Sequence, residues 1–179
     1  MSKLDQMKNL RGGAVYSAAR IAPTTARTWA LNLGTSGTGH PRYDATDAVA
    51  LVIMRQLTAE ASIAAGPSAH IVNALRPRLP ALIERIVAEQ EASGRWQWDG
   101  GPFAIVTRKP IVGGGTSIDT WLTMIDGDDL GPALANQRSG MTPIVIPLRR
   151  LINKGIYGLQ RVLAGELGEY PEQDAGASA

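Results

Sequence analysis

Apolar side chains recur at helical spacing through the first half of the chain and at strand spacing in parts of the second. From Ala14 to Ala22, Val15, Ala18, Ala19 and Ile21 fall roughly on one helical face. Pro23 then opens a second short helix, because a proline in the first turn lacks only an N–H that would be unpaired there anyway. At about 100° per residue, Thr24, Arg27, Thr28 and Leu31 share one face of that helix, and Ala26, Trp29 and Ala30 the other. The stretch from Asn32 to Arg42 has Gly34, Gly37 and Gly39 among Thr and Ser and no long apolar run, so it can bend back as a hairpin or wing. Asp44 is placed to cap a new helix, with Asp47 three residues on. That helix is apolar on most faces (Ala48, Val49, Leu51 to Met54, Leu57) and is expected to be buried. Its propensity persists to Ala65, where Gly66-Pro67 should stop it.

Two helices follow, about Ser68 to Leu75 and Leu79 to Glu91, separated because Pro77 and Pro80 forbid one straight helix, and ended by Ser93-Gly94. From Arg95 the pattern changes to strand pieces. Asp99-Gly100 signals a turn, and residues 103–107, 117–125 and 143–147 read as strands of a small antiparallel sheet. Leu148 to Ala164 returns to helical spacing, with an apolar stripe opposite Arg149, Arg150, Lys154 and Arg161. The pattern implies an α+β chain: residues 1–65 as a head, 66–94 as a helical connector, 95–165 as an α+β dimerisation or sensing domain, and 166–179 as a disordered acidic tail. Residues 1–10 read as a flexible arm or an extra first turn.

The two short helices and their tight junction fit a helix-turn-helix, although the second alone would also pass for an ordinary amphipathic surface helix. Two hydroxyls and a guanidinium on its exposed face are suited to phosphates and base edges. Residues 13–57 resemble the winged helix-turn-helix head of MerR-type regulators and their excisionase-like relatives. The likeness rests on Pro23 with Trp29 six residues later, and on Arg42-Tyr43, Asp47 and the apolar run Leu51 to Leu57 after the wing. The family has Ser or Thr before the proline and a common Gly in the preceding turn; here Ala22 and Arg20 stand near those places. The resemblance implies a recognition helix presenting Thr24, Thr25, Arg27 and Thr28 to the major groove. It also implies a wing presenting Thr38, His40 and Arg42 to phosphates or the minor groove, with Tyr43 as a further phosphate donor. Trp29 and Tyr43 would hold these elements to the core.

Charge follows the same division. The chain's net charge is only +2, but residues 1–43 carry six bases against one acid, and the tail from Glu166 four acids and no base. A basic head is what phosphate binding requires. There are no cysteines, which excludes disulfides and thiolate metal sites and fits a reducing, cytoplasmic compartment. No segment resembles a signal peptide, and no apolar run approaches the roughly 20 residues of a membrane span.

Other candidate sites read more simply as structure. Gly113-Gly114-Gly115-Thr116 lacks the lysine of a phosphate loop. Asp126, Asp128 and Asp129 lack the acid a calcium loop needs at its twelfth position, where Gln137 stands. The only histidines, His40 and His70, support no catalytic triad, and His70 reads as a surface or packing residue. Trp96, Trp98 and Trp121 supply either an aromatic core or a ligand or partner surface. The expectation is therefore a non-enzymatic regulator of double-stranded DNA, without cofactor or metal, whose effector is unknown. The alternatives are a phage-type recombination or DNA-packaging accessory protein, and a small enzyme with its site in the C-terminal sheet. Dimerisation is expected through the C-terminal domain. Ile152 and Ile156 would lie in the contact, and Gly155 and Gly158 where a partner backbone comes close. The family's long antiparallel dimer helix would need an uninterrupted run, which Pro77 and Pro80 deny.

Overall fold

A computed structural model describes residues 3–34, 40–107, 121–135 and 143–168. It is α+β, with helices around a buried central helix and a small antiparallel sheet. Helix α1 (Gly12–Ala19) is almost wholly buried, which its small residues permit. It ends at Arg20, in the left-handed region (φ 55°) with its N–H on the carbonyls of Tyr16 and Ser17. A side chain there costs roughly 1 kcal/mol, and this is where the resemblance looked for glycine. Ile21 and Ala22 complete a three-residue connection to α2 (Pro23–Thr28).

Helix α3 (Ala45–Arg55) begins with the expected cap, in reciprocal form. Asp44 accepts from the N–H of Asp47 (3.1 Å), and Asp47 accepts from the N–H of Asp44 (2.9 Å). Ala45 through Met54 are all buried, because α1, α4, α5 and α7 surround this helix. It does not run on to Ala65. The turn widens over Gln56–Glu60, Ser62 adopts a positive φ, and α4 starts afresh at Ala65 (Ala65–Leu75). Gly66 and Pro67, expected to stop a helix, lie in the first turn of the next one, where a missing N–H costs no hydrogen bond. Helix α5 (Leu79–Ser93) follows a tight turn at Arg76–Arg78 and ends on Gly94 (φ 66°), so the prolines and the stop signal act as anticipated.

The sheet has the order β2-β1-β3, all antiparallel: β1 (Phe103–Thr107) at the centre, β2 (Trp121–Ile125) and β3 (Ile144–Pro147) at its sides. Phe103 pairs with Ile125 on one side and Pro147 on the other. A short helix not anticipated from sequence, α6 (Leu130–Ala135), follows the turn at Gly127–Asp129. The triglycine segment and its connection fall outside the described residues.

Helix α7 (Leu148–Leu163) is the expected terminal helix, but its apolar stripe has a different use. It packs on α1 and α3 of the same chain, with Ile152 and Ile156 fully buried. A Cβ on Gly155 would lie 2.9 Å from Val49 Cγ2, and one on Gly158 would overlap the carbonyl of Ala18. The close backbone approach read as a dimer contact is thus intramolecular. One apolar cluster runs from Met7 through α1, α3, α4 and α5 to Val162, across the boundaries drawn from sequence. The amino-terminal arm joins it: Met7 and Leu10 are buried beside a Lys8–Asp5 pair (2.8 Å). Among the described residues, no helix is long and apolar enough to cross a membrane.

Candidate nucleic-acid interface

Helix α2 is attached to the core by Ala26 and, at its end, by Trp29, both buried. Thr24, Thr25, Arg27 and Thr28 all point to solvent. The Thr28 hydroxyl donates to the carbonyl of Thr25 (2.8 Å), which leaves its lone pairs to accept from outside. The helix stops earlier than its spacing suggested. Ala30, assigned to the core face, is exposed at φ 47°, and Leu31, assigned to the outer face, folds back against the core. The opposed faces therefore hold through Trp29 and fail at Ala30 and Leu31.

The segment after α2 is fastened from a direction sequence did not indicate. Asn73 on α4 accepts from the N–H of Asn32 (3.3 Å) and donates to the carbonyl of Ala30 (3.4 Å). Gly34, at φ 71°, donates its N–H to Asp47 Oδ1 (3.1 Å). The same oxygen receives Arg76 Nη2 at 2.5 Å, with Asp47 only 2 % exposed. One buried carboxylate thus caps α3, holds the start of the glycine-rich segment and pairs with Arg76 just after α4, which suits a group with about four acceptor positions. Nothing local in the sequence marks Asn73 or Arg76, because their partners lie far away in the chain.

The far end of the segment is fixed through the backbone. Leu10 and Tyr43 exchange backbone hydrogen bonds (2.8 and 3.1 Å) in an isolated antiparallel bridge. A Cβ at Gly34 would lie 3.0 Å from the carbonyl of Arg42, so the two ends of residues 34–42 meet as the bend-back reading expected. Thr38 lies outside the described residues. His40 and Arg42 are exposed. Tyr43 is half-buried, packed edge-on against Tyr16 (5.9 Å between rings) and sharing a 3.2 Å hydrogen bond between the two hydroxyls. Burial, then that hydrogen bond, pushes the Tyr43 hydroxyl's pKa well up, so it stays protonated at any ordinary pH. Tyr43 therefore serves first as an anchor, as Trp29 does.

Exposed hydroxyls and the guanidinium of Arg27 thus sit on a short helix whose rear is fixed, with Arg42 and His40 on the adjacent return. Such a surface offers donors and positive charge to an anionic, ridged partner. Elsewhere, Asp126 and the Gly127–Asp129 turn are exposed, with Asp126 3.7 Å from Arg85, and His70 is exposed on α4. Trp96 packs half-buried against the core, as a core role would have it, while Trp98 is exposed; Trp121's side chain falls outside the described set. No protein-family model matches the chain, and no curated protein matches it.

Proposed function

We propose that this chain is a sequence-specific binder of double-stranded DNA, a transcription regulator of MerR-like type whose first 65 residues form a winged helix-turn-helix. One observation carries the reading. Helix α2 is pinned by Ala26 and Trp29 while Thr24, Thr25, Arg27 and Thr28 face outward, beside exposed His40 and Arg42. The basic balance of residues 1–43 supports it. In this reading α2 enters the major groove, Arg27 reads a base edge, and the wing with Arg42 meets the backbone. One such head buries too little surface for tight specific binding, so two copies act together on half-sites about 34–36 Å apart or a multiple of that. The copies meet through a surface other than the apolar stripe of α7, which lies inside the chain.

The test uses the full chain, since α7 covers α1 and α3. A duplex is selected from random or genomic DNA, and binding is followed by fluorescence anisotropy at several salt concentrations. Arg27→Ala is expected to cost about 1–3 kcal/mol on the selected site and far less on random duplex. Arg42→Ala is expected to weaken both alike and to lower the salt slope by roughly one unit. Absence of salt-sensitive duplex binding, or equal losses and slopes for both variants, overturns the assignment.

A further inference from the structure

We propose that the cleft between α1, α3 and α7 is a binding site for a small aromatic anion, a planar ring carrying a carboxylate or a phosphate. The cleft encloses about 290 Å³. That is near the lower end of ligand pockets, roughly 300–1,000 Å³, which suits one single or fused ring and not a dinucleotide.

Its lining combines two chemistries. Arg20, Arg55, Lys154 and Arg161 contribute four positive charges against Glu60. Arg161 is held by Glu166 (3.0 Å), and Arg55 donates to the carbonyl of Ala19 (3.3 Å). Arg20 and Lys154 have no acidic partner among the described residues, and Glu60 is engaged by the Gln56 amide. Two cations lining one cleft without an acidic partner leave an entering anion two positive charges to meet.

The second chemistry is aromatic. Trp98 is 39 % exposed and Tyr157 43 %, and both line the cleft. Their rings lie 6.4 Å apart at 83°, with Trp96 behind them at 6.0 and 6.1 Å. The tryptophan segment is fixed, since the Asn153 amide on α7 donates to the carbonyl of Gln97 (2.7 Å). Large rings left open to water beside unpaired bases form a surface that stacks a planar ring while its anionic group meets the cations.

The lining of the cleft includes Ala18, Ala19 and Arg20, the end of α1 and the left-handed residue leading to α2. An occupant therefore presses on the turn that orients α2. This coupling rests on the DNA-binding reading; the binding itself does not.

The experiment titrates the full chain with indole-3-acetate, its neutral amide indole-3-acetamide, acetate, inorganic phosphate and a thymidine octanucleotide. Binding is read by calorimetry and tryptophan fluorescence. The expected result is saturable binding of indole-3-acetate at least about tenfold tighter than of the amide. Arg20→Gln combined with Lys154→Gln, and separately Trp98→Leu, should each weaken it about tenfold with thermal unfolding unchanged. Equal affinity for acid and amide overturns the proposal, as do variants without effect, acetate or phosphate binding as tightly as the ring compound, or no saturable binding at millimolar concentration. Tighter binding of the octanucleotide, lost in the same variants, overturns it in favour of a nucleic-acid strand. With a selected duplex present, indole-3-acetate should shift DNA affinity severalfold in the wild type and not in the double variant. An unmoved duplex affinity despite ring binding overturns the coupling. Failure to bind any duplex overturns the DNA reading and leaves the titration intact.

Discussion

The head is held from two sides by different means. Toward α7 the contact is apolar and has no spare room: Gly155 lies on Val49 and Gly158 on the carbonyl of Ala18. Toward α4 directed polar bonds are added to the apolar packing of Ile71, Val72 and Leu75: Asp47 joins Gly34, Asp44 and Arg76, and Asn73 joins Ala30 and Asn32. The first kind of contact sets where α1 and α3 sit and tolerates no added atom. The second sets the path of the segment leaving α2 and depends on single oxygens and nitrogens. Position is secured by close packing, which is strong and nonspecific in its chemistry. Orientation is secured by directional bonds that fail one at a time.

That contrast fixes an order of effects. Gly158→Val should be the most damaging change, at least about 3 kcal/mol in urea unfolding, because neither the Ala18 backbone nor the buried stripe of α7 can retreat cheaply. A loss under about 1 kcal/mol would mean that α7 slides, and the apolar side would cease to be the rigid one. Asp47→Ala comes next, at about 2–3 kcal/mol, since it removes a cap and strands the half-buried Arg76 guanidinium. Adding Arg76→Leu should recover part of that loss, because the unpaired charge goes with it. A double variant worse than Asp47→Ala would place the value of Arg76 elsewhere. Asn73→Ala is the mildest, about 1 kcal/mol, with faster amide exchange confined to the 30–34 stretch. Exchange spreading into α3 would erase the distinction between positioning and orienting contacts.

What could be read from sequence was what neighbours in sequence decide. The Asp44–Asp47 cap, the buried run to Met54, the break at Pro77 and Pro80, the strand 103–107 and the helix from Leu148 each carry their signal within a few residues. The outward set on α2 followed from helical spacing and one tryptophan, and it held as far as Thr28. What sequence left open was decided by distant partners. Gly155 and Gly158 announced a close approach without saying to what, and the answer was Val49 and Ala18 of the same chain. Asp47 was legible as a cap, but not as the acceptor for Gly34 and Arg76. Tyr157 gave no sign of completing an aromatic group with Trp96 and Trp98, since a single ring on a helix face is unremarkable until its neighbours are placed. Helix α3 gives way to a widened turn although helix-forming residues continue to Ala65, because propensity is only a weak preference.

The neck formed by Gly34, Arg42 and the Leu10–Tyr43 bridge bears on how this chain can vary in length. Both ends of the stretch between Gly34 and His40 are clamped to parts that do not belong to it, one to Asp47 and the other through Tyr43 to Leu10 and Tyr16. The clamps are made outside that stretch, and each doubling in length of a segment between two fixed ends adds only about 0.6 kcal/mol of closure cost. Insertions and deletions there are insulated from α2 and α3. Length can change between the two clamps while α2 and α3 keep their places.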